Sequence, residues 1–319
     1  MCMSFDDNSK LLATGAGNGS INIYNLNYGE LETWFEAINE KEEGLIDLRT
    51  LTVKYPVTWL KWRPKFGGTR SQSTILAASY GNNIIKIWDT TLPKEPRTIV
   101  KEKDNNGIHT LDYSPSGSLL VSGGGDATLR IYDSNNLKLI QDYKPKFFNK
   151  VDHFNRIHCV KFNPEDDKVI YSGGVDQQVW IHDTRVKDPI EYIIGPYITG
   201  DCIDILNSKL LTGSYRSKEC LEVWDLRTYE RVSAFQWDKD SPRKGGQVIA
   251  AKFTKGLTNG IIAAGRAQKD IKIFDWTSGD ILGNISRFEE MNYSMDLCYE
   301  GNMIGVGNRN GSVYLFDYE

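Results

Sequence analysis

Apolar residues along this chain fall in short runs, alternating or β-branched, and nearly every run ends in a cluster of Gly, Asn, Asp or Ser. A period of two closed by turn residues predicts strands, and helical spacing is scarce. Six runs end in an aromatic or His followed by Asp: IIKIWD at Asp89, LRIYD at Asp133, VWIHD at Asp183, LEVWD at Asp225, IKIFD at Asp275 and VYLFD at Asp317. A seventh, degenerate copy is INIYN, ending at Asn25. The marks lie 42 to 50 residues apart, except for a first interval of 64 that must carry an insertion. A period of this size assigns one supersecondary unit to each copy.

Residues 107–144 give the cleanest unit. Ile108, Leu111 and Tyr113 read as a first strand, Ser114-Pro115-Ser116-Gly117 as a turn, and Leu119 to Val121 as a second strand covered on both faces. Gly123-Gly124-Gly125-Asp126 reads as a hairpin turn able to take positive φ, followed by strands at Leu129–Tyr132 and Leu139–Tyr143. One such four-stranded meander cannot bury both its faces. Stacking copies around an axis buries them and protects the edges.

With these residues the chain resembles the WD40 family of β-propellers over almost its whole length. Trp88-Asp89 and Trp224-Asp225 are the family's dipeptide, and the other marks carry Tyr, His or Phe. The resemblance implies an all-β, seven-bladed propeller, a single domain over 1–319 with blades at 2–35, 55–103, 107–144, 155–197, 199–237, 247–288 and 292–319. It also implies a buried network of Asp126 and Asp176 with Ser122 and Ser172, joined by a His ahead of the first strand, for which His109 and less clearly His158 lie near the right place.

Met1 to Phe5 already reads as the inner strand of blade one, and the sequence reaches Glu319 just after the third strand of blade seven. The expectation is roughly 27 strands where seven full blades would have 28, with Val313–Phe316 as an uncovered edge. One reading is a fragment or a misassigned start. The other is a neighbouring protein that adds the strand.

A formal net charge of −4 lacks the electrostatic footprint of wholesale nucleic-acid binding. No apolar stretch has the length of a membrane-spanning helix, and MCMSFDDNSK lacks the apolar core of a signal peptide. Five cysteines, scattered and without a C-x-x-C pair, fit a reduced intracellular compartment, so a cytoplasmic location is expected. The segments at 195–205 and 210–216 are also similar to WD-repeat proteins of ciliated organisms, which adds the cytoskeleton or cilium as an alternative.

Catalytic chemistry needs converging groups, and the four His (109, 153, 158, 182) show no metal-ligand spacing. GAGNG (15–19) and GGGD (123–126) join strands and lack the Lys-Ser/Thr and helix of a phosphate loop. No enzyme activity, metal or cofactor is expected. Contacts are expected instead on the turns between second and third strands, where Tyr80, Tyr215, Arg216, Arg266 and Arg309 supply interface-type side chains. His109 and Arg156 should project nearby. The loop 144–156 adds Phe147, Phe148 and Phe154; loops 36–56, with a short helix expected, and 237–247 are the other long connections. Trp224-Asp225-Leu226-Arg227 and the segment ending at Arg185 are similar to the W-D-x-R pattern of substrate receptors of cullin-RING ubiquitin ligases. The expected function is a non-enzymatic scaffold for other proteins, with the axonemal protein and the ligase receptor as alternatives.

Overall fold

The computed structural model describes residues 2–27, 30–35, 54–64, 74–92, 95–102, 106–145, 152–238, 246–255, 259–266, 269–286, 288–298 and 303–317. The helix expected in 36–56 therefore falls almost wholly outside the described residues, as do Phe147 and Phe148. Twenty-seven strands form seven antiparallel sheets among the described residues. Blade one holds β1–β4 (Cys2–Phe5, Leu11–Gly15, Ile21–Asn25, Glu30–Phe35) and blade two β5–β8 (Val57–Trp62, Ile75–Tyr80, Ile84–Asp89, Thr98–Lys101). Blade three holds β9–β12 (Ile108–Tyr113, Leu119–Gly124, Leu129–Asp133, Leu139–Tyr143), and blade four β13–β16 (Ile157–Asn163, Asp166–Gly174, Gln178–Asp183, Glu191–Ile194). Blade five holds β17–β20 (Ile203–Leu206, Lys209–Gly213, Leu221–Asp225, Arg231–Phe235), and blade six β21–β24 (Val248–Phe253, Gly260–Gly265, Ile271–Asp275, Ile281–Ile285). Blade seven holds β25–β27 (Asn292–Leu297, Met303–Asn308, Val313–Asp317).

The first strand of each blade packs against the first strand of the next, and β25 returns to β1, so the sheets close a ring around a central channel. Apolar residues of the first three strands fill the space between blades, while the fourth strands turn residues such as Ile140 and Ile194 outward. The glycines of the second strands serve this packing. A Cβ on Gly123 would fall 2.7 Å from Ile157 Cγ2, and one on Gly213 would fall 2.7 Å from Val248 Cγ1. The turn after them differs from expectation: its left-handed residue is Ala127 (φ 59°), with Gln177 (φ 61°) in the equivalent place, so close approach rather than positive φ is what Gly123 and Gly124 provide.

The buried network of blade four is built on His153, four residues ahead of β13, and not on His109 or His158. His153 Nδ1 donates to Asp176 Oδ2 (2.6 Å), which makes its Nε2 an acceptor for Ser172 Oγ (2.9 Å). The same hydroxyl accepts from His182 Nε2 (2.9 Å), leaving His182 Nδ1 buried with no partner. Burial, with His153 beside it, holds His182 well below the usual histidine range. In blade three Glu102 replaces the histidine. It accepts from Ser122 (2.5 Å), Tyr132 (2.8 Å) and Arg130 (2.9 Å), while Arg130 also pairs with Asp126.

Blades seven and one meet through Phe5 N–H, which donates to Asp296 Oδ2 (2.9 Å), and through a cluster of Met3, Phe5, Leu12 and Cys298. Among the described residues blade seven has three strands, and β27 is its edge. Leu315 is 46% exposed there, whereas Ile131 and Ile181, its counterparts in blades three and four, are each 1% exposed. Covering an aliphatic side chain is worth about 1.5–3 kcal/mol, so roughly half of that is unrealised at Leu315.

Candidate interaction surface around the central channel

Five of the first strands share one irregularity. Pairing with the second strand skips Thr58, His109, His158, Ile249 and Tyr293, each left out as the extra residue of a β-bulge. A bulge frees its residue from the ladder and re-aims its side chain. All five line the end of the channel where the first strands begin, around a cavity of about 350 Å³. The antiparallel order puts the turns between second and third strands at this same end.

His109 and His158 occupy the same place in adjacent blades and stack, with centroids 4.6 Å apart and planes 9° from parallel. Burial holds both below the usual histidine range, His158 to about 4, with His109 and Arg156 adding to the effect on His158. The mouth therefore presents two neutral rings at neutral pH. Opposite, Tyr293 is 41% exposed and lies under the Arg266 guanidinium (5.4 Å). Trp59 lines the same cavity, with Lys161 Nζ 5.9 Å from its ring.

Two residues beyond the bulge-following position, the first strands carry Ser4, Lys61, Asp112, Lys161, Asp204, Lys252 and Asp296. Lysine and aspartate alternate from blade two to blade seven, and blade one is neutral. These residues separate the mouth cavity from a second one of about 630 Å³ at the opposite end. Lys61 pairs with Asp112 (3.0 Å), and Asp201, just ahead of β17, pairs with both Lys161 (2.9 Å) and Lys252 (2.6 Å). Burial works against Asp201 ionising, but the two lysines hold it well below the usual carboxylate range. Each ring aspartate also accepts a backbone N–H from the next blade: Phe162 to Asp112 (2.8 Å), Phe253 to Asp204 (2.8 Å) and Phe5 to Asp296 (2.9 Å). Hydrogen bonds to a charged acceptor contribute about 1.5–3 kcal/mol each, so this collar is a main fastening between blades.

The structure distributes the expected contact residues unevenly. His109 stands at the mouth, with exposed Arg156 beside it and Arg266 on the rim. Arg309 is exposed and Tyr215 half-buried, 6.5 Å from Tyr197. Tyr80 must be corrected: it is 5% exposed, and its hydroxyl accepts from Trp88 Nε1 (3.2 Å), so it packs a blade instead of presenting a surface. Arg216 is largely committed internally, donating to Gly195 O (3.1 Å) and Glu219 O (3.0 Å) and pairing with Glu222 (2.5 Å). Phe154 is 59% exposed. Arg185 and Arg227 are exposed but held by Asp183 and Asp225 of their own segments. Sequence reasoning missed Thr58, His158, Ile249 and Tyr293 as a mouth ring; the residue just inside the start of each first strand was the available signal.

The Asp176–His153–Ser172 chain has the composition of a hydrolytic triad, but Ser172 is fully buried and its oxygen is engaged by both imidazoles. All five cysteines are buried, and burial pushes Cys159 up to about 12 and Cys220 up to about 11, away from thiolate chemistry. Among the described residues no three His, Cys, Asp or Glu gather as a metal site, and no helix is long and apolar enough to cross a membrane.

The family model for the WD domain, G-beta repeat, matches residues 1–25, 95–133 and 146–183. Each match ends on a third strand, at Asn25, Asp133 or Asp183. The chain carries WD40 repeats. This WD40 chain is similar to mouse protein transport protein Sec31B, at 22% identity over 68% of the chain and 19% of the relative. Its similarity to the anaphase-promoting complex subunit cdc20 of Dictyostelium discoideum is 22% identity over 50% of the chain and 28% of the relative. The WD40 chain spans between 16% and 61% of the length of the curated relatives it matches. A solved structure described as the crystal structure of the mitotic checkpoint complex contains a chain of the same fold, with a TM-score of 0.76 at 15% identity, covering 99% of this chain and 86% of that one.

Proposed function

We propose that this WD40 propeller is a non-enzymatic scaffold that binds other proteins at the bulge-built channel mouth and along the edge of β27. The observation that carries this reading is the ring of bulged residues. Five blades each give up a ladder position to aim a side chain at one cavity, and four of those side chains differ in type, as a recognition surface requires. The exposed row of β27, with Leu315 uncovered, adds a place where an extended segment of a partner can pair by strand addition. Relatives whose names make them subunits of assemblies, such as the cdc20 subunit and subunit I of initiation factor 3, point the same way.

A photo-reactive amino acid placed in turn at Tyr293, Leu315, Leu139 and Ile194 tests the proposal in cells. All four positions are exposed, but the last two lie on fourth strands away from both surfaces. The expected result is discrete protein adducts at Tyr293 and Leu315 and little at Leu139 and Ile194. Equal adducts at all four positions would reject both surfaces.

A further inference from the structure

Six of the seven junctions between blades are closed in the same way. The fourth-strand residue opposite the first apolar residue of the third-strand core is large and apolar in each: Phe35, Val100, Tyr143, Ile193, Phe235 and Ile285. Their partners are the residues before the closing Asp of the next blade. Phe35 stacks on Trp88 (centroids 4.5 Å apart), Tyr143 tilts on His182 (4.6 Å) and Phe235 on Phe274 (5.4 Å). Val100, Ile193 and Ile285 share core clusters with Tyr132, Trp224 and Phe316. The seventh junction is different. Tyr24 is the equivalent residue of blade one, and among the described residues no fourth strand reaches it from blade seven. It is half-buried, whereas Trp88, Tyr132, His182, Trp224 and Phe274 are at most 8% exposed. Tyr24 pairs with Leu12 and Leu31 on the face of blade one that meets blade seven, where Leu12 clusters with Val313. Leu31 and Trp34 carry this wall outward, 50% and 52% exposed, and Leu315 extends the Val313 wall. Charge adds a second observation. The strands of blades one and seven contain no lysine or arginine, and their outer parts carry the exposed acids Glu30, Glu32 and Asp317.

We infer that the segment received by β27 is a basic one from a partner protein, with an aromatic or large aliphatic residue opposite Val313 that closes on Tyr24. This rests on the reading of β27 as a partner edge and adds the chemistry that selects the partner. The six internal examples set the register. An anchor opposite Val313 points its side chain at blade one, and the residue two places along, opposite Leu315, lies on that same face. Lysine or arginine at the flanks of the segment meets an acidic surface, where an acidic segment would meet like charge.

The chain's own fourth strands supply a probe. The full chain is titrated with a fluorescent synthetic peptide that carries the β20 sequence RVSAF between lysines, and hydrogen exchange locates the bound peptide. Saturable binding is expected, with a Kd on the order of 10–100 µM and slowed exchange across β27. Serine in place of the peptide's phenylalanine should weaken binding at least about tenfold. Tyr24→Ala should weaken the parent peptide similarly and leave the serine peptide unchanged, a coupling that a general loss of folding does not produce. Tyr24→Phe should retain the parent affinity. Glutamates in place of the lysines should cost about another tenfold at low ionic strength. Equal binding of the phenylalanine and serine peptides, or of the lysine and glutamate peptides, with β27 still protected, would overturn the assignment and leave the edge as a partner surface. Absence of protection at β27 with every peptide would overturn both readings. Protection of β27 before any peptide is added would give the groove to the chain itself or, where sedimentation shows a dimer, to a second copy, and would overturn the assignment as well.

Discussion

The mouth of the channel and the collar beneath it lie on the same seven strands yet obey different rules. At the mouth, the bulged positions hold Thr, His, His, Ile and Tyr, with no common chemistry. A few residues further along, the collar holds lysine and aspartate in strict alternation through six blades. A bulged residue pairs with nothing in the ladder, so strand pairing constrains its side chain less, although Ile249 still packs in the core and Thr58 still bonds Ser79. A collar residue fastens the next blade, so its charge is fixed by its neighbours. Variation belongs at the mouth and rigidity at the collar.

Removing a hub of the collar should break this contrast most visibly. Asp201→Ala leaves the buried Lys161 and Lys252 without their shared partner, and a loss of about 3–5 kcal/mol by equilibrium denaturation is expected. Asp201 is held well below its unfolded value, so its contribution is present above pH ~4 and is lost as pH falls further. The wild-type melting temperature should therefore drop below that pH, and Asp201→Asn, already weakened at pH 7, should show a flatter acid limb. A variant as stable as wild type at pH 7 would remove the collar's fastening role.

Smaller effects belong to the mouth. His109 and His158 sit below the unfolded histidine value, His158 near 4, so the unfolded chain binds more protons as pH falls from ~6.5 toward 4. Stability should decline across that window, by about 1–2 kcal/mol at pH 5, and the double variant His109→Phe/His158→Phe should reduce the decline. His182 contributes in the same direction and would leave a residual slope. The smallest change expected is at Tyr293. Tyr293→Ala should alter folding stability by no more than about 0.5 kcal/mol while removing partner contact at the mouth, measured by denaturation and by binding of a cross-linked partner. A large destabilisation would make Tyr293 a packing residue and erase the distinction between the two levels.

The fold was legible because its mark sits on the third strand, where burial between blades fixes residue type: Trp88, Tyr132, Trp224 and Phe274 are all buried at the position before Asp. The network histidine was not, because His153 reaches Asp176 and Ser172 from a loop whose length no strand periodicity sets. His109 and His158 sit on strands, and the bulge turned them toward the channel and away from the network. Tyr80 was misplaced for a related reason. It is the last residue of β6, buried against Trp88, while the turn that looked exposed begins one residue later. The alternating collar was written in the first strands throughout, but it emerges only when their central residues are compared blade with blade.

An odd ring cannot alternate two signs to closure; somewhere two like charges must touch or one site must fall silent. Ser4 is that silent site in a ring of seven. Six or eight blades would permit a collar whose alternation closes without a break. The count of blades, usually regarded as a matter of diameter, thus also decides whether the alternation around the channel can close.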